Sequence, residues 1–169
     1  MKILITDIPE EGLSLNIEEK FGAEEVPVVS PVKAGLELTK FKHEVIVEGS
    51  VGAELELECS RCLKKYLYGL DVPVHVVYHP AEEIGADRHE LKDDEMDMGF
   101  YQGEELDLRE LIREQIMLNI PMQPLCDIDC RGICSQCGTD LNTATCSCVA
   151  VKIDPRLEVL KKLLEKRKE

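Results

Sequence analysis

The chain has 169 residues, enough for one domain that buries roughly 70% of its unfolded surface without staples. Its 44% hydrophobic and 32% charged residues are a globular composition and exclude disorder. Twenty Lys and Arg against 34 Asp and Glu leave a formal charge of −14, which excludes a generally basic surface for nucleic acid, so any RNA contact must use a local patch.

After Lys2 the apolar run Ile3–Ile5 suits a short strand and is too short for a secretory signal. No apolar run reaches the ~20 residues that span a bilayer, so a cytoplasmic location without membrane contact is expected. Pro9, Gly12, Pro27, Pro31 and Gly35 divide the first forty residues into short pieces. Alternation then begins at Val45–Val47 and becomes regular at 54–59. There Leu55, Leu57 and Cys59 share one face and Glu54, Glu56 and Glu58 the other, as in a half-buried antiparallel strand. A second strand resumes at Tyr66–Tyr68 and continues through Val72, Val74, Val76 and Val77, with Pro73 marking an edge or a bulge. Cys59 and Cys62 therefore fall where a hairpin turn is expected.

Residues 81–110 hold twelve acids and three bases, which suits a solvated loop or, alternatively, an acidic docking face for a basic partner. Asp107 can cap a helix, with Glu110 three residues on; Leu108, Leu111, Ile112 and Ile116 then form a core-facing stripe, bounded by Pro121. Asp154-Pro155 opens a closing helix with Leu157, Leu160, Leu163 and Leu164 inward and a basic tail, Lys161, Lys162, Lys166, Arg167 and Lys168.

Eight cysteines in a chain that looks cytosolic point to metal or redox chemistry and not to disulfides. They form four tight pairs: Cys59/Cys62, Cys126/Cys130, Cys134/Cys137 and Cys146/Cys148. A tight pair aims two thiolates into one space, and two pairs make a tetrahedral four-sulfur cage suited to Zn²⁺. Cys134, Cys137, Cys146 and Cys148 can close a local site. Cys59, Cys62, Cys126 and Cys130 would then join across the fold, although spacing leaves open whether Cys126 or Cys130 replaces a member of the local site. One or two structural zinc ions are expected. His75 and His79 are further candidate ligands, against the plainer reading of polar strand residues.

Other cysteine chemistries fit less well. Cys130-x3-Cys134-x2-Cys137 has radical-SAM spacing but lacks room for a barrel scaffold of ~200 residues. A thioredoxin-like pair should open a helix, whereas Cys59 and Cys62 join strands. A deaminase needs proline before its Cys-x-x-Cys, where this chain has Glu58 and Ile133. A closed four-sulfur site leaves no position for water, and no phosphate loop or dinucleotide motif is present, so no enzymatic activity is expected.

Arg61, Lys64 and Lys65 flank the first cysteine pair without an intervening acid, and Arg131 lies between later ligands. They either offset thiolate charge, as groups around a metal site do, or contact RNA phosphates. Tyr66 and Tyr68 could stack on bases nearby, with core packing as the plainer alternative.

Leu-Glu-Cys-Ser-Arg-Cys-Leu (57–63), Ile-Pro-Met-Gln-Pro-Leu-Cys (120–126), Asp-Cys-Arg-Gly-Ile-Cys-Ser-Gln-Cys-Gly (129–138), Asp-Leu-Asn (140–142), Cys-Ser-Cys (146–148) and Asp-Pro-Arg-Leu (154–157) together resemble the bacterial YceD family. The resemblance runs from about residue 40 to the end, with Ile133 and Ser135 where Leu and Pro are more usual. It implies a non-enzymatic factor for accumulation or processing of large-subunit ribosomal RNA in ribosome biogenesis. The partner would be that RNA or an assembly intermediate, and no catalytic residue is carried over. Variation in the family's cysteines implies that zinc supports the fold. The alternative is an adaptor whose acidic face holds a basic ribosomal protein.

The expected fold is α+β: an antiparallel, barrel-like β region with a crossing helix (1–125), then a zinc-ribbon-like cysteine segment and closing helix packed on the same domain (126–169).

Overall fold

The computed structural model describes residues 1–22, 26–81 and 98–148. The closing helix expected from Asp154, and residues 82–97 of the acidic run, lie outside the described residues.

Among the described residues, seven strands and one helix follow in chain order: β1 (Lys2–Leu4), a 3-10 turn (Ile5–Asp7), β2 (Leu13–Glu19), β3 (Val32–Phe41), β4 (Glu44–Glu58), β5 (Lys65–Pro80), β6 (Met98–Tyr101), β7 (Glu105–Asp107) and α1 (Leu108–Asn119). Five strands form one sheet in the order β2-β3-β4-β5-β6. Its first four strands are an antiparallel meander, and β6 joins β5 in parallel. β1 and β7 pair separately. The class is β-rich with a single described helix, but the sheet is open: β2 and β6 are its edges and do not pair among the described residues. The barrel-like expectation is corrected accordingly. The apolar face that closure would have sealed is covered instead by α1, which packs on β5, β4 and β1.

Period-two patterning decides which face is covered. Val32, Ala34, Leu36 and Leu38 of β3, Val45, Val47, Val51, Leu55 and Leu57 of β4, and Leu70, Val72 and Val74 of β5 are all buried. They lie side by side because the registers pair Val47 with both Leu38 and Val76, and Val51 with both Ala34 and Val72. Glu54, Glu56 and Glu58 point to solvent. β6 meets β5 only at Val77–Pro80, so Pro73 sits where β5 is an edge strand and its missing N–H leaves no ladder bond unmade. A close approach of β3 and β4 requires Gly49, where a Cβ would fall 2.0 Å from the Gly35 carbonyl oxygen.

The helix begins where Asp107 accepts hydrogen bonds from the backbone N–H groups of Arg109 (3.0 Å) and Glu110 (3.4 Å). Twelve residues are marginal as an isolated helix. Burial of Leu108, Leu111, Ile112 and Ile116, at about 1.5–3 kcal/mol each, supplies what propensity cannot. The Arg109 guanidinium ties α1 to β2 by an ion pair with Glu19 and lies 4.6 Å from the Phe21 ring centroid. Replacement Asp107→Ala should cost about 1 kcal/mol in urea unfolding and Asp107→Asn much less, because Asn also caps. Ile116→Ala should cost about 2–5 kcal/mol in the same measurement.

Candidate metal centre

The β4–β5 hairpin turn carries the first pair. Cys59 N–H donates to the Lys64 carbonyl and Leu63 N–H to the Cys59 carbonyl, both at 2.9 Å, with Leu63 in the left-handed region at φ 58°. This loop turns both sulfurs inward. The chain leaving α1 returns to it, fixed where Ser60 N–H donates to the Pro124 carbonyl at 2.8 Å. A second turn, in which Cys130 N–H donates to the Asp127 carbonyl, presents Cys126 and Cys130 to the hairpin.

The Sγ atoms of Cys59, Cys62, Cys126 and Cys130 all lie within 4.8 Å of one another. Cys59 to Cys130 is 3.8 Å and Cys62 to Cys126 is 3.6 Å. A tetrahedron with ~2.3 Å zinc–sulfur bonds has edges of about 3.8 Å, so one ion fits this spacing. Cys59, Cys62 and Cys130 are buried and Cys126 is exposed.

The second cluster closes locally. Cys134 N–H donates to the Thr139 carbonyl and Gly138 N–H to the Cys134 carbonyl, and Gly138 takes the left-handed conformation at φ 72° that this turn needs. Cys134, Cys137, Cys146 and Cys148 bring their sulfurs within 4.8 Å of one another. This cluster is more open, with two members half-buried and two exposed. All eight cysteines are free of disulfides.

Crowding separates the thiols electrostatically. Backbone N–H groups of Cys126 and Cys62 lower the Cys59 thiol to about 6, while the neighbouring Cys62 sulfur and burial push Cys126 up to about 12. The Thr139 hydroxyl and backbone N–H lower Cys137 to about 6, and Cys137 in turn pushes Cys148 up to about 12. Four adjacent thiolates cannot all ionise without a cation among them. A divalent ion supplies that charge. Within residues 121–148 only Cys130 and Gly132 are buried, so this segment has almost no apolar core of its own.

The structure thus brings the eight cysteines together as two groups of four, with Cys126 and Cys130 beside the hairpin pair. It also separates Cys130 from Cys134 and Cys137, so the three sulfurs of the radical-SAM-like spacing belong to different clusters. His75 and His79 belong to neither: His75 Nδ1 lies 3.1 Å from Glu48, and His79 Nδ1 3.7 Å from Glu44. Tyr66 and Tyr68 pack against the main core, and Tyr66 also touches the first cluster.

Arg61, Lys64 and Lys65 all have internal partners. Arg61 Nη1 donates to the carbonyls of Cys130 (2.8 Å) and Ile128 (3.4 Å), and the Arg61 carbonyl accepts from Ile133 N–H at 3.1 Å. Gly132, at φ 75°, packs so close that a Cβ would lie 2.8 Å from the Arg61 carbonyl oxygen. Lys64 pairs with Asp140, which raises the Lys64 pKa and holds the Asp140 carboxyl below the usual range. Lys65 pairs with Glu56 at 2.7 Å. Asp140 and Asn142 are the residues whose part here sequence reasoning missed. The short Asp-x-Asn pattern between two ligand pairs was the available signal, since Asp and Asn side chains favour turns.

Residues 47–164 match the family described as "Large ribosomal RNA subunit accumulation protein YceD". The chain is 26% identical over 159 residues to the Bacillus subtilis protein YlbN, covering 92% of this chain and 87% of that one. It is 30% identical over 129 residues to Rv2926c of Mycobacterium tuberculosis, across 68% of this chain and 60% of the relative. It is 24% identical over 168 residues to the Arabidopsis thaliana chloroplastic "Large ribosomal RNA subunit accumulation protein YCED homolog 1", across 86% of this chain and 52% of that protein. The chain therefore spans only about half to 60% of several of these relatives. No solved structure matches it. No helix of the described residues is long and apolar enough to cross a membrane. With the match extending over more than half of the chain, from mid-β4 through both cysteine clusters, the chain belongs to the YceD family.

Proposed function

We propose that this chain is a non-enzymatic, zinc-stabilised factor that supports the accumulation of large-subunit ribosomal RNA in the cytoplasm. The observation that carries the reading is the closing of eight cysteines into two four-sulfur clusters inside a YceD-family chain. Each cluster has the spacing of ligands on one shared ion. Bridged iron–sulfur clusters spread four thiolates over two or four irons and hold them farther apart than ligands on a single ion. Four sulfurs saturate a tetrahedral zinc ion, which leaves no position for water and assigns it a structural role. Relatives named for large ribosomal RNA subunit accumulation supply the RNA side of the proposal.

Zinc in this role ties the hairpin turn to the segment after α1 and stands in for the apolar core that residues 121–148 lack. Of the three candidate RNA-contacting cations, Arg61 serves as a clamp on the cysteine loop. Lys64 and Lys65 keep side chains 57% and 68% exposed. Surface pairs of this kind are worth about 0–1 kcal/mol, so an RNA phosphate can displace their carboxylate partners.

A second reading, an adaptor for a basic ribosomal protein, is favoured by a groove of about 990 Å³ between α1 and β5–β6. Glu105, Glu110 and Glu114 line it beside Phe100 and Tyr78, with Lys2 the one Lys or Arg among its described lining residues. Burial and then Glu114 and Glu110 push the Tyr78 hydroxyl up to about 12, which reflects how closely these carboxylates crowd the groove.

Elemental analysis of freshly purified, reduced protein should give two zinc ions per chain, with thiols that resist alkylation until a chelator is added. One zinc would remove the cross-fold site, and none with intact thiols would remove the structural account. Large-subunit RNA fragments should bind with a salt dependence that weakens by roughly one unit of slope for each of Lys64→Gln and Lys65→Gln. Binding of a basic ribosomal protein without any RNA binding would select the adaptor reading instead.

A further inference from the structure

We infer that the two cysteine clusters form one coupled metal-binding unit, in which Asn142, carried on the second cluster's loop, completes the sulfur environment of the first. The inference rests on the zinc reading above and concerns how the sites communicate.

Asn142 lies between Cys137 and Cys146, ligands of the second cluster, yet its Nδ2 reaches Cys130 Sγ of the first at 3.4 Å. Its other contacts fix that direction. Asn142 Oδ1 accepts from Arg131 N–H at 2.7 Å, next to Cys130. Asn142 N–H and Nδ2 donate to Asp140 Oδ1 at 2.9 and 2.8 Å. Leu141 N–H donates to the Gly132 carbonyl at 2.9 Å. Asp140 in turn pairs with Lys64, whose carbonyl accepts from Cys59 N–H in the first hairpin. Residues 140–142 therefore touch both halves of the first cluster, the hairpin through Lys64 and the returning segment through Arg131, Gly132 and Cys130.

The physical consequence is an exchange of ordering cost. With the second cluster empty, the loop between Cys137 and Cys146 must be ordered before Asn142 can donate to the Cys130 sulfur. An ion on the second cluster orders the loop beforehand. The amide then stabilises thiolate charge on Cys130 when the first cluster binds its ion, and contacts of this outer kind change metal affinity by about 10–100-fold. Coupling between binding sites is reciprocal, so an ion on the first cluster strengthens the second by the same factor. Asn142 is a positioning residue and ligates nothing.

The test is a thermodynamic cycle on the full chain, with zinc in competition against a chromogenic chelator. The intact chain gives both association constants together. Cys134→Ser/Cys137→Ser isolates the first cluster, and Cys59→Ser/Cys62→Ser isolates the second. The product of constants in the intact chain should exceed the product from the isolated clusters by roughly five-fold or more. Asn142→Asp keeps the size and the acceptor for Arg131 N–H but loses the donor and places a carboxylate beside the sulfur. It should bring that ratio close to one. A second measurement needs no refolding: zinc release from the purified holoprotein into excess chelator should be a single concerted phase in the natural chain and two separate phases in Asn142→Asp. A ratio within two-fold of one, or a ratio and release profile that Asn142→Asp leaves unaltered, overturns the coupling. Failure of either cluster to bind zinc at all overturns the zinc reading with it, whereas two independent zinc ions overturn the coupling alone.

Discussion

Four sulfurs from two distant stretches of chain meet at one point, and the described residues 121–148 are arranged around that meeting. Cys59 and Cys130 are 71 residues apart in sequence and Cys62 and Cys126 are 64 apart, yet each pair of sulfurs is in contact. The order of the described residues up to 120 follows from ordinary burial of strand and helix faces. That of residues 121–148 does not, because almost nothing there is buried. A segment without a core is held by hydrogen bonds, by an arginine clamp and by whatever the sulfurs hold. One tetrahedral divalent ion fits the sulfur spacing of the cross-fold cluster.

The same constraint explains where the cations of an acidic chain have gone. Arg61, Lys64 and Lys65 look from sequence like a small basic strip. In the fold they serve the cysteine loops first: Arg61 gathers the carbonyls of residues 128 and 130, and Lys64 holds Asp140 across the junction. Lys64 and Lys65 stay 57% and 68% exposed while pairing with Asp140 and Glu56. The groove between α1 and β5–β6 gathers carboxylates of α1 and β7 beside Phe100.

Much of this fold was legible in the sequence, and what was hidden shares one physical cause. The stripe Leu108, Leu111, Ile112 and Ile116 with its Asp107 cap marks a helix face, and alternation over 54–59 marks a half-buried strand; the structure holds both. Pro73 signalled an edge. These are local signals, in which residues a few positions apart report the surface they share. Closure of the sheet is not local: the barrel-like expectation failed because α1 covers the apolar face, and no residue in β2 or β6 announces that. Cysteine spacing showed which thiols could turn inward together, but whether Cys126 and Cys130 met the hairpin or the local cluster depended on the path of residues 120–125. The hydrogen bonds of Arg61 were hidden for the same reason, since its carbonyl partners lie 67 and 69 residues away. Asp140 and Asn142 carried no charge pattern or apolar period that would mark them as a bridge between clusters.

X-ray absorption at the metal edge of the purified protein tests the central claim most directly, because it reads the ligands and not their consequences. The account requires a zinc edge with a single shell of four sulfur neighbours at about 2.3 Å, averaged over both clusters. Nitrogen or oxygen in that shell, fewer than four sulfurs, or a short metal–metal vector would contradict it. Any of these would restore an open coordination site or a redox cluster to a chain read here as having neither.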